Sequence, residues 1–343
     1  CVRLNTTGLN AFIARHSKGF VVLFLLLFVP ALYSNSHTMM YYKLDESVPQ
    51  DMPSILSNNK LKDDFGMAST HFIVLRDDLD RGSMVELEEA IEALPGITSM
   101  VAYDKLLPSG IPDFFIPQDI KKLCKQEGYQ MLMVNSSYVT ASDAVAQQLN
   151  DLDALLKSYD PNAYITGEAA MTKDLIEVAD VDFKTTNYLS ILAILVLVSI
   201  AFKSLSIPVL LVATIELAIC INQGIPYFTG TEVAFITPTV IGCIQLGATV
   251  DYAILMTSRF QEELQKGRDR QNAANAADVS ILTSALVFFC STLGVSLIST
   301  MDLIRSICLM LSRGAIISAL VCMFILPSVL VVFEPIIAKT TLH

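Results

Sequence analysis

Charge is scarce in this chain. Only 17 % of its 343 residues are charged and 53 % are hydrophobic, whereas a soluble domain carries about a quarter charged residues. That excludes an ordinary soluble protein and marks an integral membrane one. Hydrolytic machinery is also missing. There is no G-x-x-x-x-G-K-[S/T] loop to cradle phosphates, no G-x-S-x-G run and no H-E-x-x-H zinc helix. No enzyme and no cofactor are expected, and energy for any work must come from an ion gradient. Metal spacing is absent as well: His16, His37, His71 and His343 are scattered, and the seven cysteines (Cys1, Cys124, Cys220, Cys243, Cys290, Cys308, Cys322) form no C-x-x-C pair. Five of them lie in apolar segments, where cysteine behaves as a small hydrophobe. Neither a disulfide framework nor a bound metal is expected. Asn135-Ser136-Ser137 fits a glycosylation sequon.

What charge there is falls unevenly. The formal net charge is −11, and residues 41–182 hold 25 acidic against 11 basic side chains, leaving the remainder mildly basic. Residues 41–182 therefore read as a water-exposed domain, and the acidic balance argues against nucleic acid as a partner. Residues 20–33 are an apolar run after Arg15, His16 and Lys18. This could be a signal peptide, but the site for cleavage is poor and a first transmembrane helix is the better reading. The domain that follows reads as α/β. Strands are expected at 70–75, 97–103, 130–134 and 163–166. Helices are expected at 83–94, with Ser83 as N-cap, and at 142–159, with a further short basic helix at 119–125 after a loop marked by Pro108, Pro112 and Pro117. The order βαββαβ, without that loop, is a ferredoxin-like unit.

Five further spans are expected. The second ends at 189–202 after a polar helical lead-in from Glu168. The third covers 209–221, the fourth 233–257, the fifth 279–298 and the sixth 314–333, with Pro238 and Pro327 kinking their helices. The expected fold is thus a six-helix transmembrane bundle with an α/β domain between spans 1 and 2. Its parts are 1–40 (cytoplasmic segment and span 1), 41–182 (the α/β domain), 183–335 (spans 2–6) and 336–343 (tail). Basic residues mark the cytoplasmic side. Arg3, Arg15, Lys18, Lys203, Arg259, Lys266, Arg268, Arg270 and Lys339 share one side if there are six spans. Both termini are then cytoplasmic in the plasma membrane and the α/β domain is extracytoplasmic. Arg305 and Arg313 fall on the outer side. Arg313 is expected as an interfacial anchor or an ion-pair partner.

Inside the fourth apolar run stands Asp251, in Gly247-Ala248-Thr249-Val250-Asp251-Tyr252. A carboxylate at that depth costs about 3 kcal/mol or more, and such residues usually line ion or proton pathways. A packing hydrogen bond with no proton traffic is the alternative. Glu216 is a second acid at membrane depth and a second candidate for proton transfer. Asn222, Gln245, Thr249, Ser284, Ser291 and Thr292 are expected as helix–helix hydrogen-bonding residues, and Gly242 and Gly247 as sites of close helix approach.

Four stretches carry a family resemblance: LDESVP at 44–49 with Phe65-Gly66, GEAA at 167–170, GATVDYAILMTSRFQEE at 247–263, and LSRG at 311–314 with Leu326-Pro327. Together they resemble one half, the carboxy-terminal one, of a resistance-nodulation-division (RND) transporter of the MMPL branch. The resemblance implies a porter-like exterior domain. It also implies Asp251 as proton carrier, with Tyr252 as its hydrogen-bonding neighbour, and a matching pair on a second half. The implied activity is proton-driven efflux of hydrophobic, lipid-like molecules by antiport; the implied partners are that second half, the lipid substrate and membrane lipids. Family members carry two halves, whereas only one GxxxDY run occurs here. The second half is expected on the same polypeptide, since the sequence opens at Cys1, or else on a homo- or hetero-oligomeric partner. The competing reading is a non-transporting lipid-sensing or scaffolding module.

Overall fold

A computed structural model describes residues 12–13, 15–42, 48–103, 105, 121–122, 124–266 and 278–340. In chain order its elements are α1 (Ser17–Ser36), β1 (Met40–Tyr41), α2 (Pro53–Phe65), β2 (Ser69–Arg76), α3 (Arg81–Glu92) and β3 (Ile97–Val101). There follow β4 (Lys125–Gln126), β5 (Tyr129–Ser136), α4 (Asp143–Tyr159), β6 (Tyr164–Thr166), α5 (Glu168–Phe202), α6 (Ser206–Thr229) and β7 (Val233–Ala234). The chain closes with α7 (Thr237–Gln265), α8 (Asp278–Ile298), α9 (Asp302–Leu320), a π-helical turn (Val321–Ile325) and α10 (Leu326–Thr340). Two units separate: Cys1–Tyr41 with Asp182–His343, and Tyr42–Val181. The loop with Pro108, Pro112 and Pro117, most of the expected basic helix, residues 44–47, Arg268 and Arg270 lie outside the described residues.

The first unit is helical. Six helices in the described chain are long and apolar enough to cross a membrane: α1, α5, α6, α7, Ser280–Ile298 and the continuous Asp302–Thr340. Helix α6 is apolar on nearly every side and is buried accordingly. Its Ile207, Leu211, Ile215 and Ile219 recur every four residues and pack with Leu246, Ala253, Met256 and Phe260 of α7, Ile281 and Ala285 of α8, and Leu326 and Leu330 of α10. The opposite side, through Leu217, Ala218 and Cys220, meets Ala31 of α1 and Val321, Ile325 and Val329. By contrast, Tyr188, Leu189, Leu192, Val196 and Ile200 of α5 are exposed.

Three boundaries differ from expectation. Residues 233–234 are not helical; they form a parallel pair with β1, Met40↔Val233 and Tyr41↔Ala234. Pro238 stands in the first turn of α7, where its missing N–H has no partner to lose, so it starts the helix rather than kinking it. The last helix begins twelve residues before the expected 314, at Asp302. Pro327 is the second residue of α10, two positions after the end of the π turn. A proline removes one ladder hydrogen bond and crowds the carbonyl four residues back, and the wider turn over Val321–Ile325 takes up that misfit.

The second unit is α/β. Its sheet runs β3-β5-β2-β6, every neighbour antiparallel, with β4 paired to β5. Side chains alternate along a strand. Ile73 and Leu75 of β2 and Leu132 and Val134 of β5 pack with Met84, Leu87 and Ile91 of α3 and Leu152 and Leu156 of α4. Helix α4 starts as expected, Ser142 Oγ accepting from Val145 N at 3.2 Å. Helix α3 is capped three residues earlier than expected. Asp80 is its N-cap, accepting from Ser83 N at 3.1 Å and from Ser83 Oγ at 2.7 Å. Aspartate is as good a cap as serine, and the earlier one wins because it also holds the serine hydroxyl. The sequon residue Asn135 is buried inside β5. It accepts from Thr70 and donates to Ser99, so its amide is committed to the sheet. His71 is fully buried, its Nε2 3.2 Å from Gln148 Oε1.

Candidate functional site

Helix α7 carries the fourth-span motif, and its two sides differ. Ile241, Gln245, Leu246, Thr249, Tyr252, Ala253, Met256 and Phe260 are buried against the rest of the helical unit. Cys243, Ile244, Gly247, Asp251 and Ser258 are exposed. Steps of three and four residues put these side by side along one outward stripe. Asp251 lies about 21 Å from the start of the helix at 1.5 Å per residue, near the middle of the 29-residue helix. No hydrogen bond or ion pair joins it to another described residue. Tyr252, one position on, turns the other way. It is buried in the core among Leu246, Ala253 and Met256 of its own helix and Ile281 and Ala285 of α8. Adjacent helical residues point about 100° apart, so the two side chains serve different surfaces.

Glu216 sits in mid-α6, about 15 Å from that helix's start. It is half-buried, and its Oε1 has no hydrogen-bond partner among the described residues. Cys220, one turn on, accepts from Asn35 of α1 at 3.9 Å. No hydrogen bond links Glu216 to Asp251.

Between α6, α7 and α9 lies a buried polar lattice. Asn222 Nδ2 donates to Gln245 Oε1 at 2.8 Å and to the Met310 carbonyl at 3.0 Å. Gln245 Nε2 donates to Ser318 Oγ at 3.0 Å, and Thr249 Oγ1 donates to the same oxygen at 2.8 Å. Arg313 completes the lattice. Its Nε donates to Asn222 Oδ1 and its NH2 group to the Asn222 carbonyl, both at 2.9 Å. The expectation of an interfacial anchor is thereby corrected: because α9 starts at Asp302, Arg313 lies about 16 Å along it, and its fork is held by the amide of α6. Asn222, Gln245 and Thr249 do join helices, as expected. Ser291 and Thr292 bond only to carbonyls of their own helix.

The glycines divide in the same way. A Cβ on Gly314 would stand 2.6 Å from Asn222 Nδ2 and 2.7 Å from Gln245 Oε1, and one on Gly224 would collide with Ser34. These are the close approaches within the described membrane-spanning helices. Gly242 stands 3.6 Å from Gln223 Nε2, measured the same way, while Gly247 has nothing within 4 Å and belongs to the outward stripe. The sequence signal for Gly314 was available: a small residue beside an arginine in an apolar run, with Asn222 and Gln245 needing partners elsewhere.

Six apolar helices with a polar lattice buried among them define a multi-pass helical membrane protein. The chain belongs to the MMPL family, which it matches over residues 121–338, and so to the RND-type membrane transporters. It is similar to the membrane protein YdgH of Bacillus subtilis, at 29 % identity over 140 residues, which are 40 % of this chain and 16 % of YdgH. It is similar to the mycolic acid-containing lipids exporter MmpL11 of Mycolicibacterium smegmatis, at 26 % identity over 187 residues, 51 % of this chain and 19 % of MmpL11. Membrane protein MJ1562 of Methanocaldococcus jannaschii is 22 % identical over 310 residues, 80 % of each chain. The chain spans only part of the length of the MmpL transporters it matches, the aligned segments being 19 % of MmpL11 and 14 % of MmpL1 of Mycobacterium tuberculosis.

Proposed function

We propose that this chain forms one half of a proton-driven exporter of hydrophobic or amphiphilic molecules. A single contrast carries the reading. The polar groups buried between α6, α7 and α9 bond to one another, while Asp251 faces outward from the unit midway along α7 with no partner among the described residues. A carboxylate left bare toward lipid is costly. A second half packed on the Cys243–Gly247–Asp251 stripe would enclose it, and an enclosed, ionisable side chain can exchange a proton between the two sides. Tyr252 then fixes the helix rotation that presents Asp251. Glu216, with its unpartnered oxygen, is a second proton-accepting group in the same layer. The electrical gradient supplies about 2.3 kcal/mol per charge per 100 mV.

The α/β unit fits an extracytoplasmic, ferredoxin-like porter domain. Its βαββαβ order and its sheet order β3-β5-β2-β6 support that reading. Cytoplasmic termini in the plasma membrane follow from the basic residues Lys203, Arg259 and Lys266. The test is transport by the two-half assembly in proteoliposomes under an imposed pH gradient. Asp251→Asn is expected to abolish gradient-driven efflux and leave the elution volume of the folded protein unchanged. Wild-type flux in that variant would end the proposal.

A further inference from the structure

Helices α5, α7 and α10 all end beside the short turn that joins α5 to α6, and a cavity of about 610 Å³ lies among their last turns. Lys203 stands in that turn with φ at +49°, a left-handed conformation that residues other than glycine seldom adopt. The turn is pinned in place: Ser206, at the start of α6, shares a hydroxyl–hydroxyl hydrogen bond with Thr340, at the end of α10. Lys203 therefore projects from a fixed point on the wall of the cavity.

The lining has two characters. Phe202, Leu264 and Ile337 give it an apolar side continuous with the core of the helical unit. Three charged residues complete it: Lys203, Glu262 and Glu334. Glu262 is already neutralised, accepting from Arg259 at 2.8 Å and from Lys266 at 2.8 Å. The ammonium of Lys203 has no partner among the described residues. What faces a guest is thus a cation on the α5–α6 turn and a carboxylate on α10. A purely anionic guest would meet Glu334 and a purely cationic one Lys203, whereas a guest carrying both charges can satisfy each. The surroundings say where such a guest comes from. Val196, Leu197 and Ile200, one to two turns before Lys203 on α5, are exposed, and in a membrane their cover is hydrocarbon. A lysine just beyond a lipid-facing apolar run stands at head-group level. The volume falls within the roughly 300–1,000 Å³ of small-molecule sites.

We infer that this cavity holds the zwitterionic head group of a resident aminophospholipid, its phosphate on Lys203 and its ammonium on Glu334, with the acyl chains along Val196, Leu197 and Ile200. This lipid is a fixed neighbour that joins α5 to α7 and α10, not cargo. The inference needs only that the helices span a bilayer, so it stands apart from the exporter reading. The test is native mass spectrometry of the full chain, stripped of lipid in detergent. The chain is titrated with dioleoyl phosphatidylethanolamine, with dioleoyl phosphatidylglycerol and with water-soluble glycerophosphoethanolamine, the same head group without chains. Wild type is expected to hold the ethanolamine lipid about tenfold more tightly than the glycerol lipid, one charge-assisted bond apart. The free head group should bind far more weakly than either. Glycine suits φ +49°, so Lys203→Gly should fold; it is expected to weaken both phospholipids about tenfold. Glu334→Gln keeps the size of the side chain and is expected to erase the preference for ethanolamine while leaving the glycerol lipid bound at least as tightly. A merely structural glutamate would not change which head group is chosen. Equal retention of the two lipids by wild type, lipid retention unaltered by Lys203→Gly, or a preference unaltered by Glu334→Gln would each overturn the inference. So would a free head group that competes as well as the lipid.

Discussion

Replacing Gly314 by alanine tests the polar lattice directly. The added methyl would lie 2.6 Å from Asn222 Nδ2, 2.7 Å from Gln245 Oε1 and 3.0 Å from Gln245 Cδ. Carbon and its neighbours prefer about 3.5–4.0 Å, so both amides must retreat by roughly an ångström. Neither is the loose end of an exposed chain: Asn222 is fixed by Arg313 and the Met310 carbonyl, and Gln245 by Ser318. Overpacking of this kind costs about 1–3 kcal/mol, and a buried amide left unbonded adds about 1–3 kcal/mol. The better helix propensity of alanine returns about 1 kcal/mol. The net expectation is a loss of about 3 kcal/mol. Gly247→Ala is the matched control, since nothing lies within 4 Å of that position; it should be neutral or slightly stabilising. Unfolding of both variants in mixed micelles, followed by circular dichroism, gives the comparison. Equal stability of Gly314→Ala and Gly247→Ala would refute the close approach at α9 and the lattice built around it.

Other expectations follow from the same contacts. Arg313→Lys should destabilise the helical unit by about 1–3 kcal/mol, because an ammonium cannot reproduce the two directed bonds to Asn222; an unchanged denaturation midpoint would count against this. Burial pushes the His71 imidazole below its ordinary value of 6.5, partly offset by the bond to Gln148. The unfolded chain therefore takes up the proton first, and the α/β unit should lose stability as pH falls below about 6.5. His71→Gln should flatten the melting temperature between pH 7.5 and pH 5; an equally steep acid dependence in the variant would exclude His71 as its source. Burial opposes ionisation of Asp160, but bonds from the Arg76 and Asn162 amides and from the Arg76 guanidinium outweigh it and hold the carboxyl below 3.8. Asp160→Asn should cost about 1–2 kcal/mol near pH 7, and the difference from wild type should shrink as pH falls through the acid range. A difference independent of pH would point to packing instead.

Much of the architecture was readable from local patterns. Apolar runs of bilayer length located the six helices, because hydrocarbon admits a span only if its backbone is satisfied internally. Ser142 marked a helix start, since a hydroxyl just before an apolar repeat satisfies orphan N–H groups. Boundaries failed where polar residues belong inside a helix. Asp302, Arg305, Ser306, Ser312 and Arg313 dilute the first half of the last span, so an apolarity criterion begins it too late and leaves Arg313 at the surface. Its true depth follows from its partner on α6, ninety-one positions away in the chain.

Asp251 shows the same division. Its depth is a property of the surrounding run of residues and needs no structure. Which way it faces is not, because α7 is apolar around most of its circumference and its own periodicity names no inside. The lattice of Gln245 and Thr249 with Asn222 and Ser318, and the packing of Tyr252, Met256 and Phe260, set the rotation of the helix and leave the carboxylate on the outer stripe. Length, hydropathy and motif established a multi-pass member of a transporter family. Pairings between helices far apart in sequence decided which polar groups are spent inside the unit and which face outward, because a hydrogen bond depends on distance in space and not on separation along the chain.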